Sequence, residues 1–230
     1  MEHQYDIVET NWQTVAKNYG GQDVVSLFGW GTSGWNSGAN CYQPWSTSTI
    51  YIDYLPGGSC TNNLTGSYAN ADWGVYNAIS NGGNQAGLWR TLTTDEWEYV
   101  FNTRSTASGI RYAKACVNNV NGVILLPDEW SSSYYSLGST NNGGPSFSSN
   151  TITLSQWDTL EQHGAVFLPA AGSRNGASVS DVGTSGNYWS ASYCQCSFAY
   201  CVSFGSMILL SQDYLGRGGG RSVRLVCPAE

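Results

Sequence analysis

Residues 91–130 read TLTTDEWEYVFNTRSTASGIRYAKACVNNVNGVILLPDEW, and this run decides the fold class. Its first part is helical. Thr93 or Thr94 stands where a cap is needed, and Asp95 and Glu96 fall in the first turn, where the helix dipole favours negative charge. Trp97, Val100 and Phe101 recur at i, i+3 and i+4 to make one apolar face, and Arg104 closes the last turn. The pattern then changes. GIRYAKAC (109–116) and NGVILLPDEW (121–130) read as two strands, with Asn121-Gly122 as the turn between them. A helix followed by a hairpin, with no strand–helix–strand repeat, predicts an α+β fold with antiparallel strands.

The same signals recur on either side. TLSQWDTLEQHG (153–164) reads as a second helix, capped by Ser155 with Asp158 three residues on, buried through Trp157 and Leu160, and ended by Gly164. AVFLPAAG (165–172) reads as a buried strand, and GTSGNYWSAS (183–192) as a turn into another. AYCVSF (199–204) alternates, placing Tyr200, Val202 and Phe204 on one face and Cys201 and Ser203 on the other. SVRLV (222–226) alternates again as a last strand. Upstream, DVVSLFGW (23–30) reads as a short apolar strand or turn, and DWGVYNAISNGG (72–83) as a short helical turn. Residues 31–72 read as long loops dense in Gly, Ser, Asn and Thr, pinned by Trp35, Tyr42, Trp45, Tyr51, Tyr54 and Tyr68. No internal repeat is visible. Residues 1–87 are expected to form the amino-terminal part and loop-rich decoration of the domain whose core is 88–230.

Composition limits the function classes. The 230 residues suffice for a sizeable core. Only 11% are charged, yet 10 Trp and 15 Tyr exclude a disordered chain. Net charge is −7 and the nine basic residues are scattered, so no nucleic-acid partner is expected. No run is long enough for a transmembrane helix, so no membrane insertion by this segment is expected. The opening MEHQYDIVETNW lacks the basic and apolar regions of a signal peptide. Either secretion does not use the standard leader or the chain begins after a removed one.

No constellation carries catalytic chemistry. Of the two histidines, His3 lies near the terminus and His163 at a helix end. GRGGGRS (216–222) lacks the Lys-Ser/Thr ending of a nucleotide loop and opens no helix. Asp95–Glu96 is explained by helix capping and Asp128–Glu129 lies at a strand end. Asp128 remains a candidate ligand for a structural calcium ion, and no other cofactor is expected. Seven cysteines is an odd count. Cys41 and Cys60 flank a polar loop and could pair in an oxidising compartment. Cys116 reads as a small buried hydrophobe, and Cys227 as exposed. Cys194, Cys196 and Cys201 form C-x-C-x4-C, which does not match structural zinc spacing.

Those three cysteines lie in NYWSASYCQCSFAYCVSFGSMILLSQDYLGRGGGRSVRLV (187–226), where many positions follow no pattern that folding requires. WRTLTTDEWEYVFNTR (89–104), GVILLPDEW (122–130), GAVFLPAAGSR (164–174), GNYWSAS (186–192) and GRGGGRSVRLV (216–226) resemble bacterial and phage domains of the C-type lectin fold. They look most like the variable proteins of diversity-generating retroelements, a skeleton shared with the formylglycine-generating, sulfatase-modifying enzymes. The resemblance covers about residues 88–226. LFGWGTSGWN (27–36), CYQPW (41–45) and ADWG (71–74) are similar, less specifically, to the amino-terminal part of the same relatives.

The resemblance implies a C-type lectin fold of two helices and short twisted antiparallel strands with long loops. It implies a ligand-binding display domain whose variable region spans about 187–226, on a cell surface or phage particle, facing a protein or other surface ligand. Variation in such proteins replaces adenines, typically in Asn codons. The implied binding face is Tyr193, Cys194, Gln195, Cys196, Phe198, Cys201, Ser203, Gly205, Ser206, Ile208, Leu210, Ser211, Asp213, Leu215, Gly216, Gly218 and Gly219. Gln195 and Met207 would need other codons. The three cysteines would then be sampled surface residues, with Trp97, Trp189, Tyr200, Phe204 and Arg224 as scaffold. QPW (43–45) and LPDEW (126–130) do not match the calcium-dependent sugar motifs of lectins. Cys196 and Cys201 lie where the enzymes carry a cysteine pair, but the enzyme motif around them is missing, so no enzyme is expected. The alternative is an adhesin or structural domain of the same fold that is not diversified.

Overall fold

Thr93 opens the helix of the first quoted run. In the computed structural model, which describes residues 16–19, 22–25, 27–80 and 82–228, its hydroxyl accepts from the Glu96 N–H while the Glu96 carboxylate accepts from the Thr93 N–H. Two of the helix's unsatisfied donors are met in this way. In chain order the elements are β1 (Ala16–Tyr19), β2 (Gln22–Val25), α1 (Trp73–Tyr76), β3 (Arg90–Thr91) and α2 (Thr94–Glu98), which runs on as a π turn over Tyr99–Thr103. Then come β4 (Tyr112–Val117), β5 (Val120–Leu125), β6 (Thr151–Ile152), α3 (Leu154–Gln162), β7 (Val166–Pro169), β8 (Ser173–Asn175) and β9 (Ser178–Ser180). The chain closes with β10 (Gly186–Gln195), β11 (Phe198–Phe204), β12 (Leu209–Gly216) and β13 (Leu225–Val226). This is an α+β arrangement of few helices and several small sheets.

The larger sheets are β6–β4–β5–β7 and β10–β11–β12, and β13 pairs with β3. The pairings are antiparallel except β4 with β6, a two-residue parallel contact, so the expectation of antiparallel strands throughout is corrected there. The hairpin is present but its turn is not at Asn121-Gly122. Those residues lie within β5, opposite Cys116 and Ala115. The turn is Asn118-Asn119, with φ of 46° and 65°. Two positive φ values suit the twist of the flanking strands, and Asn tolerates them. Gly122 serves packing instead. A Cβ there would lie 2.4 Å from the Phe167 ring and 2.5 Å from the Leu168 carbonyl oxygen.

The second helix is capped two residues earlier than expected. Thr153, not Ser155, is the N-cap, and Gln156 rather than Asp158 completes the box. Strand β6 ends at Ile152, so the helix must start at once, and Gln156 is the acceptor three residues on. Trp157 and Leu160 are buried as expected. SVRLV contributes only Leu225 and Val226 to a strand, paired with Thr91 and Arg90.

Four apolar clusters hold these layers among the described residues, the smallest at Leu27, Ala171 and Val179. The first lies beneath α2 and joins Trp97, Phe101, Tyr112, Tyr188, Val202 and Phe204. The second packs Trp157 and Leu160 of α3 on Ile124 and Phe167 of the four-stranded sheet. The third joins Trp30 and Leu64 to Trp189, Ala191, Ala199 and Cys201 on the back of the β10–β12 sheet. Backbone bonds tie the amino-terminal residues to the same place: Phe28 pairs with Arg221, the Trp30 N–H donates to Arg217, and the Leu64 N–H donates to Ala191. Both faces of the middle of β10–β12 are therefore covered, and only its outer part meets solvent.

Candidate ligand-binding face

Strand β11 does not alternate simply. Its register with β12 shifts between Cys201 and Ser203. Before the shift Ala199 and Cys201 point into the third cluster, and after it Val202 and Phe204 point into the first. A bulge lets adjacent residues both turn inward. Cys201 is therefore a core residue, 1% exposed, and its place on the outward face is corrected. Tyr200, expected as scaffold, is instead half-buried opposite Tyr214. Phe198 sets its ring edge-on to Tyr214 at 5.5 Å. Phe198, Tyr200 and Tyr214 continue the sheet face beyond the start of α2.

The other expected positions divide by burial. Gln195, Ser206, Ile208 and Leu210 are exposed. Tyr193, Cys194, Phe198, Ser203, Gly205, Asp213, Leu215, Gly216 and Gly219 are half-buried. Of these, Tyr193 and Leu215 lean on the third cluster, and Ser203 donates to Asn187. Gly218 is buried against the backbone of Thr49. Ser211 is also buried, because it is bonded to the helix: its hydroxyl donates to Glu98 and accepts from Asn102 at 2.8 Å. Those bonds hold the Glu98 carboxyl below its ordinary pKa, Ser211 acting most strongly and Asn102 next. Cys196 is not a free surface residue either. It forms a disulfide with Cys60, so the expected Cys41–Cys60 pair is corrected and Cys41 is free. Cys201 and Ser211 are buried and Cys196 is fixed covalently, so none of the three belongs to an adaptable surface.

The backbone beneath the face is clamped. Arg217 is fully buried, with its guanidinium 4.5 Å from the Trp30 ring centre. It donates to the carbonyls of Cys60, Gln195 and Phe198, joining the disulfide loop to the β10–β11 turn. At the other end Lys114, 1% exposed, points its ammonium at the carbonyls of Gly143 (2.6 Å), Ser206 (3.1 Å) and Ile208 (3.5 Å). Burial pushes Lys114 down to about 8. This cation holds the β11–β12 turn in shape. Trp97, Trp189 and Phe204 are buried as scaffold. Burial lowers Arg224, which is in turn favoured by Tyr188 and Glu161 nearby.

The clamped turn presents large apolar side chains beside the exposed Ser206. Met207 is 81% exposed, followed by Ile208 at 51% and Leu210 at 42%. Tyr214 and, from α2, Tyr99 add exposed rings. Met207, Tyr99 and Tyr214 were not among the expected face residues. The period-two run LLSQDYLG carries the signal for Tyr214, and helical spacing carries that for Tyr99, which lies two residues after the buried Trp97 and so faces away from the core. The Tyr200 hydroxyl is raised chiefly by a hydrogen bond to the Cys194 thiol. Burial raises the Cys201 thiol to about 12, which leaves it protonated and a poor nucleophile at neutral pH. Among the described residues no three His, Cys, Asp or Glu side chains are grouped to hold a metal. Asp128, the expected calcium ligand, lies 3.2 Å from the Arg104 guanidinium.

Comparison with protein-family models, curated proteins and solved structures gives no match. No helix among the described residues is long and apolar enough to cross a membrane. The face thus combines exposed apolar and aromatic side chains with a backbone tied by Lys114, Arg217 and the Cys60–Cys196 bond.

Proposed function

We propose that this chain is a ligand-binding display domain of the C-type lectin fold, diversified in the manner of retroelement variable proteins. The observation that carries the reading is the combination at β10–β12 of exposed side chains with a fixed main chain. Met207, Ile208, Leu210 and Tyr214 stand in solvent, where folding alone does not call for large apolar groups. Beneath them Lys114, Arg217, the Cys60–Cys196 bond and the Trp30–Trp189 cluster hold the backbone. Rigid aromatic and aliphatic anchors lose little entropy on binding, so a preorganised face of this kind suits recognition of a protein or other surface ligand. The binding residues are then Tyr193, Cys194, Gln195, Phe198, Gly205, Ser206, Ile208, Leu210, Asp213, Leu215 and Gly216, with Met207 and Tyr214 beside them. Cell surface or phage particle is the location such a role requires.

Sequencing the 3′ end of the gene and its flanks across many isolates tests the proposal. Substitutions confined to adenine-derived positions on the outward residues, over a constant Cys196, Cys201, Ser211 and Arg217, are expected. Changes spread evenly along the gene, with no template copy nearby, would reduce the chain to an undiversified adhesin or structural domain.

A further inference from the structure

A cleft of 460 Å³ opens between residues 49–51 and the Gly-rich loop 216–221, beside Phe198. Arg174, Arg217 and Arg221 all line it. Arg174 and Arg217 are fully buried. Most of their N–H groups are used on backbone carbonyls: Arg174 donates to Leu27 and Gly176, Arg217 to Cys60, Gln195 and Phe198, and Arg221 to Gly220. In each side chain, however, one buried nitrogen has no acceptor in hydrogen-bonding geometry, although the Tyr54 hydroxyl lies near enough to Arg174 to favour its charge. These are Arg174 Nη2, Arg217 Nη1 and Arg221 Nε. Among the described residues none of the three forms an ion pair with a carboxylate. Arg174 and Arg221 disfavour each other's charge, and Asp181 is the carboxylate that acts on Arg221 from a distance.

Three desolvated guanidiniums without a counter-charge are costly, by several kcal/mol per uncompensated ion. Backbone stapling explains their hydrogen-bonded nitrogens but not the three orphaned ones, nor the choice of a permanent cation. We propose that this cleft is an oxyanion site for a doubly charged tetrahedral group, a phosphate or a sulfate. An anion of that charge meets the excess of three guanidiniums better than a monocarboxylate, and its oxygens accept from several donors at once. The three orphaned nitrogens are closed off from water, so the ligand engages them through small rotations of the guanidinium planes. The loop composition leaves room for this. A Cβ at Gly219 would lie 2.9 Å from the Arg221 guanidinium nitrogens, whereas one at Gly216 would meet nothing within 4 Å, keeping the mouth open. The site does not depend on the neighbouring face being diversified.

Thermal unfolding of the full chain in inorganic phosphate, in sulfate and in sodium chloride at matched ionic strength provides the test. Phosphate or sulfate at about 100-fold excess over its Kd is expected to raise Tm by about 5–10 °C above the chloride control. The shift is expected to saturate and to disappear in Arg221→Gln. Should that variant fail to fold, Gly216→Trp places a large side chain at the mouth, where a Cβ meets nothing within 4 Å, while leaving all three arginines in the sequence, and it too is expected to abolish the shift. Phenyl phosphate, which reaches the double charge, is expected to reproduce the shift and the phenyl sulfate monoanion to fall short of it, with acetate as the monocarboxylate comparator. No shift beyond chloride, an equal shift with acetate, or a shift retained in a folded Arg221→Gln or Gly216→Trp chain would overturn the proposal.

Discussion

Replacing Cys196 by Ser removes the one covalent link between the amino-terminal loops and the β10–β11 turn. The two cysteines are 136 residues apart. For a closed loop of that length the loop-closure relation puts the stabilisation at about 5 kcal/mol. In a chain of this size each kcal/mol moves Tm by about 2–4 °C, so the variant should melt about 10–20 °C below the parent. The native arrangement should survive, because Arg217 still joins the carbonyls of Cys60 (2.6 Å) and Gln195 (3.0 Å) and the Leu64 N–H still donates to Ala191. Circular dichroism melts of the parent, the parent in reductant, and Cys196→Ser read this directly. The reduced parent and the variant should agree, both retaining the parent far-ultraviolet spectrum at 20 °C. A Tm within 2 °C of the parent would refute the reasoning and return Cys196 to the pool of free surface residues.

Three further perturbations probe the supports of the face. Lys114 is held at about 8 by burial, below its ordinary 10.5, so the unfolded chain binds the extra proton between these values. Stability from this group is therefore lowest below pH 8 and rises as pH approaches 10.5. Discounted for solvent screening at the ammonium, the parent should gain about 1–2 kcal/mol on Lys114→Met across that window in urea titrations, and a pH-independent difference would contradict this. Gly122→Ala drives a methyl into Phe167 and the Leu168 carbonyl and should cost about 1–3 kcal/mol in the same assay; a neutral result would mean the β5–β7 approach is looser than described. Arg90 holds the Glu96 carboxyl down to about 2 from 4.5. Its contribution is fully present above pH 4.5 and is lost as pH falls towards 2. With solvent screening of this half-exposed pair, Glu96→Gln should cost about 1 kcal/mol at pH 7 and far less at pH 2.5, read from urea midpoints; equal costs at both would contradict it.

The helices and strands were legible where a single local rule decides them. Trp97 and Phe101, and Trp157 and Leu160, recur with helical spacing and are buried on one face. Local rules failed where two of them competed. Asn121-Gly122 carries the stronger turn signal, yet Asn118-Asn119 turns, and Gly122 sits within β5 beneath the Phe167 ring, a contact 45 residues away in sequence. Period two in AYCVSF predicts one inward face, but the bulge after Cys201 gives two, each facing a different cluster. The candidate face was legible as a region and less so by residue. The partners of Cys196 and Ser211 lie at Cys60 and Glu98, far along the chain, and pairings over such distances leave no local mark. The arginine cleft was read only as a glycine-rich loop, since Arg217 is buried against Trp30 and Cys60 and Arg174 against Leu27, all far along the chain.

The central claim is that the outward residues of β10–β12 can change freely and thereby select a ligand. A displayed library varied at Cys194, Gln195, Phe198, Ser206, Ile208 and Leu210, with Cys196, Cys201, Ser211 and Arg217 kept, tests it most directly. The account predicts that most members melt within a few degrees of the parent and that selection against an arbitrary protein target yields binders differing only at the varied positions. Widespread unfolding of the library, or binders whose affinity survives restoring all six parental residues, would contradict it.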